Sequence, residues 1–62
     1  MNLGVFALNI TLQIYRAASG QWAGKILVDG AEAAGIAGCD SPGAVELAAL
    51  ELGYDLDTVE TI

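Results

Sequence analysis

Asp55, Asp57 and Glu60 set three carboxylates close together in a 62-residue chain that has one cysteine, Cys39, one lysine, Lys25, and no histidine. Carboxylates alone run acid–base chemistry only when an apolar pocket keeps one of a pair protonated, and the residues around Asp55 and Asp57 build no such pocket. The spacing Asp55-x-Asp57-x-x-Glu60 offers oxygen ligands to calcium but lacks the fixed loop and mid-loop glycine of an EF-hand, so it describes weak, adventitious binding at most. Cys39, close before a helix start, would lie where a thiol is activated as a nucleophile. It has no histidine to pair with, and a lone cysteine usually packs as a small apolar residue. These residue types imply no catalytic centre, no metal site and no cofactor.

The chemistry they do support is charge recognition. Eight carboxylates oppose two basic side chains, for a net charge of −6, and six of the eight lie after residue 39. Such a field attracts basic surfaces and repels nucleic acid and anionic lipid. Tyr15, Trp22 and Tyr54 could stack on bases, but the field directs them instead to core packing or to anchoring a protein interface. The expected partner is a basic protein or ribonucleoprotein complex, with no direct contact to nucleic acid or membrane. A second explanation stays open: the charge keeps a 55% hydrophobic chain in solution.

A chain of this length makes one domain, residues 1–62, and buries only about 60% of the surface its unfolded form exposes. Its composition is globular, and its single cysteine, with no disulfide to form, fits a reducing cytoplasm. The apolar start, Met1 to Ile14, lacks the early positive charge of a signal peptide, and Asn9, Thr11 and Gln13 make it too short and polar to span a bilayer. Asn9-Ile10-Thr11 matches a glycosylation sequon, which has no meaning in a cytoplasmic protein.

The elements that must position these groups follow from periodicity. Phe6, Leu8, Ile10, Leu12 and Ile14 alternate with Asn9, Thr11, Gln13 and Tyr15, the period of a strand with one covered face. After the small residues Ala17 to Gly20, Trp22, Ile26 and Val28 mark a second strand, which pairs with the first as a hairpin. Asp29-Gly30 predicts a type I′ turn into a third strand, Ala31 to Cys39, whose Gly35 and Gly38 would let a helix approach the sheet closely. Ser41 as N-cap and Pro42 at the first helical position start a helix that ends at about Leu52, before Gly53. Residues 55–62 form a fourth strand or a weakly ordered tail. The fold class is α+β, a three- or four-stranded antiparallel meander with one α-helix packed on one face.

On that helix Val45, Ala48, Ala49 and Leu52 share the stripe that faces the sheet, at about 100° per residue. Leu47 and Leu50 point the other way, flanked by Glu46 and Glu51, as an apolar centre with a charged rim. The competing arrangement packs both leucines inward, or covers them with Tyr54 and the C-terminal segment. Their exposure decides between the two. The candidate partner-binding set is Glu46, Leu47, Leu50, Glu51, Tyr54, Asp55, Asp57 and Glu60.

Gly38-Cys39-Asp40-Ser41 leading into Ala44-Val45-Glu46-Leu47-Ala48 resembles the Gly-Cys element before an Ala-rich helix in HicB-type antitoxins, with Ala37 where that family usually has proline. As a whole, a very short acidic αβ chain without catalytic residues resembles phage-encoded anti-CRISPR proteins, above all inhibitors of type I effectors. That resemblance implies an inhibitor, in a host cytoplasm, whose carboxylates take the place of phosphates on a guide- or target-binding surface. Glu46 and Glu51 lie about 7.5 Å apart along a helix axis, roughly two phosphate steps of one DNA strand, although they point about 140° apart. The HicB likeness implies instead a small basic toxin as partner. A third possibility is a structural or assembly subunit, a homo-oligomer joined through the exposed edge strand or the leucine pair, whereas the binder is expected as a monomer or weak homodimer.

Overall fold

A computed structural model describes residues 9–62. The order is β1 (Ile10–Arg16), β2 (Trp22–Val28), β3 (Ala31–Cys39), α1 (Pro42–Glu51) and β4 (Thr58–Thr61), and the four strands form one sheet in the order β3-β2-β1-β4. The α+β class and the helix on the sheet are as expected. Phe6 and Leu8, assigned to the first strand from their alternation, lie outside the described residues.

Alternation in β1 becomes a two-faced strand. Leu12 and Ile14 are buried against α1, while Thr11, Gln13 and Tyr15 take the opposite face. β1 and β2 pair antiparallel from Ile10↔Val28 to Arg16↔Trp22. The hairpin loop closes with the Gly20 N–H donating to the Ala17 carbonyl at 2.9 Å. In the β2–β3 turn Asp29 and Gly30 both have positive φ, 51° and 85°, as a type I′ turn requires.

β3 does not run evenly beside β2. Ala37 and Gly38 together oppose the single residue Ala23, and Ala33 is inserted between Ile26↔Ala34 and Leu27↔Glu32. Each is a β-bulge, the first with Gly38 at φ +74°.

Close approach of helix to sheet occurs at Gly24, not at Gly35 and Gly38 as the sequence implied. A Cβ on Gly24 would lie 2.6 Å from Val45 Cγ1 and 3.0 Å from Leu12 Cδ1, whereas one on Gly35 or Gly38 would meet nothing within 4 Å. The small residues of β3 serve the bulges and the edge; the helix settles over the centre of the sheet, where β2 has its glycine.

Both ends of α1 are closed. Ser41 Oγ accepts from the Ala44 N–H at 3.1 Å, and Pro42 fills the first helical position. At the other end the Gly53 N–H donates to Leu50 O at 2.9 Å and the Tyr54 N–H to Ala49 O at 3.3 Å, a Schellman motif with Gly53 at φ +97°. Replacing Ser41 with Ala should cost about 1 kcal/mol by orphaning the Ala44 N–H. Urea denaturation would register this as a lower midpoint with unchanged slope; an unchanged midpoint would contradict the cap.

The last strand departs from a pure meander. β4 pairs parallel with β1, in register Thr11↔Thr58 to Ile14↔Thr61, so the sheet is mixed and largely antiparallel. α1 carries the chain from the β3 edge back across the sheet to the far side of β1. There Asp57 brackets the junction: its N–H donates to Ile10 O at 2.8 Å and its carboxylate accepts from the Ile10 N–H at 2.9 Å.

The core is small: Leu12, Ile14, Ile26, Val45 and Ala49, with Ile36, Trp22, Tyr54 and Leu56 packed around it. No helix among the described residues is long and apolar enough to cross a membrane.

Candidate protein-binding site

α1 is amphipathic by packing and not by composition. Val45 and Ala49 are fully buried on the sheet, and Ala44 and Ala48 are half-buried beside them. Leu47 and Leu50 are 56% and 49% exposed, which excludes the arrangement that turns them into the core or covers them. Glu46 and Glu51 are exposed on either side, so Glu46, Leu50, Leu47 and Glu51 succeed one another around the outward half of the helix. The result is a convex face with two leucines between two carboxylates.

Leu52, placed by its angular position with the core stripe, is instead 59% exposed. It is the C-cap, where the chain already leaves the helix, and the Schellman turn brings Tyr54 and Leu56 onto the core in its place. Angular position predicts burial only while the helix continues over the sheet.

The remaining candidates are dispersed. Tyr54 is half-buried against the core. Asp55 is exposed shortly after the helix end and extends the acidic rim. Asp57 is bonded to the Ile10 N–H. Glu60 accepts from Gln13 Nε2 at 2.8 Å, and Gln13 points away from the face that holds Leu12 and Ile14, so Glu60 lies on the sheet surface opposite α1. The structure therefore unites Glu46, Leu47, Leu50 and Glu51 and sets Asp57 and Glu60 apart. Cys39 is half-buried beside the core, with its thiol 3.9 Å from Ala37 O.

The two cations do not neutralise this acid. Arg16 lies over the Trp22 ring at 5.6 Å and Lys25 over the Tyr15 ring at 5.8 Å. Among the described residues the carboxylates that accept hydrogen bonds are Asp29, Asp57 and Glu60, and their donors are neutral amides. Glu51 sits in the last turn of α1, where the helix dipole disfavours negative charge, and α1 has no basic residue in its last turn. The local fold gains nothing from that carboxylate.

Comparison with protein-family models, curated proteins and solved structures gave no match.

Proposed function

We propose that this protein is a non-catalytic inhibitor that docks on a basic, nucleic-acid-binding surface of a protein complex, in the manner of an anti-CRISPR protein. The observation that carries the reading is the exposed Leu47–Leu50 pair framed by Glu46 and Glu51, on a helix whose opposite side holds the fold together. Carboxylates raise the rate of encounter with a cationic groove and occupy cations that phosphates would otherwise satisfy; the leucines exclude water and lengthen residence. A folded, capped helix loses little conformational freedom on docking.

The test is displacement of a labelled target duplex from a type I CRISPR effector, measured across a salt series. Inhibition should weaken as salt rises, and the triple variant Glu46→Gln, Glu51→Gln, Asp55→Asn should lose it by about tenfold or more, while folding at least as stably as the parent. Unchanged inhibition by the triple variant would refute charge mimicry.

One observation favours a second reading, an antitoxin. β3 ends in Gly38-Cys39 and passes through the Ser41 cap into an Ala-rich helix, the passage on which the likeness to HicB-type antitoxins rests. That reading requires a small basic toxin that co-purifies with this chain and loses its toxicity when bound. A neighbouring gene without such a product counts against it.

A further inference from the structure

The outward face of α1 has the pattern of a helix-pairing seam. Gly43, Leu47 and Leu50 follow one another at intervals of four and three, the spacing of heptad positions d, a and d, and all three are exposed. In that frame Glu46 falls at g and Glu51 at e, the two positions that flank a seam and select its partner by charge. Val45, Ala48 and Ala49 fall at f, b and c, which a free coiled coil would show to water and which here lie against the sheet.

From this frame, resting on the binding role argued above, we infer that the partner presents an amphipathic helix with apolar a and d positions and Lys or Arg at e and g. Charge complementarity names this occupant. A second copy of the same chain would set Glu46 and Glu51 against their own kind, and like charges across a seam repel. Gly43 at the first d position leaves room for a large apolar side chain of the partner. The seam spans a single heptad, so the helix supplies orientation and specificity, and Asp55 beyond its end supplies further charge.

The probe is a synthetic peptide of about three heptads with Leu at a and d and Lys at e and g, whose own charges keep it from pairing with itself. Amide shifts of the labelled protein should move along the outward side of α1. The Leu47→Ser, Leu50→Ser variant should bind at least about tenfold more weakly at an unchanged fold, which its amide spectrum verifies. Glu46→Lys with Glu51→Lys should reverse the preference, favouring the same peptide with Glu at e and g. Shifts centred on residues 55–60, or equal affinity in the serine variant, would overturn the helix-pairing seam. If polylysine binds at low salt while the peptide is indifferent to the leucines, the acidic-binder reading stands and the helical partner falls. If neither ligand binds at low salt, both fall together.

Discussion

Gly24→Ala should lower the melting temperature by roughly 10 °C, the largest effect expected from adding a single methyl group to this chain. The new Cβ would lie 2.6 Å from Val45 Cγ1 and 3.0 Å from Leu12 Cδ1. Valine in a helix is held to nearly one χ1 rotamer, so it cannot turn aside, and either α1 rises from the sheet or β2 bends. Overpacking of this kind costs about 1–3 kcal/mol. A single core in so small a domain supplies only about 3–5 kcal/mol. The contact itself supplies the control. Val45→Ala removes the atom in the way, so the double variant should be less destabilised than the sum of its parts by about 1 kcal/mol. Strict additivity would show that Gly24 is needed for some reason other than the approach of the helix.

Leu12→Ala and Leu50→Ala should separate stability from binding through one substitution made in two places. Leu12 is fully buried in the central strand β1 and packs beneath Val45. Truncating it costs about 2–5 kcal/mol, comparable to the whole stability of such a domain, and should leave a large unfolded fraction at 25 °C. Leu50 is 49% exposed. Its truncation should change stability by less than about 0.5 kcal/mol and speed dissociation from a basic partner. Denaturation and binding kinetics on the two variants provide the comparison. A Leu50→Ala variant as unstable as Leu12→Ala would remove the leucine pair from the surface, and the proposed binding face with it.

The elements with local signals were legible in the sequence. β1 was marked by alternation, the β2–β3 turn by Asp29-Gly30, and α1 by Ser41-Pro42 at its start and Gly53 at its end; all appear where their chemistry places them. What escaped depends on residues distant in the chain. Residues 58–62 alternate as a strand does, but alternation has no direction, and only the crossing of α1 makes β4 parallel to β1. Gly35 and Gly38 look more suited to close packing than Gly24, yet which glycine meets the helix depends on where the helix lies across the sheet. The site was legible in part for the same reason. Glu46, Leu47, Leu50 and Glu51 belong to one helix face by local periodicity, whereas the carboxylates of Asp57 and Glu60 are engaged by Ile10 and Gln13, 47 residues earlier in each case.

The two bulges in β3 have a further consequence. An outer strand rich in alanine and glycine, with no proline and Glu32 as its one charge, would ordinarily be an open template for another chain, and through it for fibrous aggregation. Here the longest uninterrupted stretch of ladder is three residues, Ala34, Gly35 and Ile36, between one bulge at Ala33 and another at Ala37–Gly38, with Ala31 and Glu32 paired beyond the first and Cys39 beyond the second. A foreign strand would keep register for three residues and then lose it in both directions. The distortion does the work that lysine or proline does on other sheet edges, and it does so without adding positive charge to a chain whose net charge is −6.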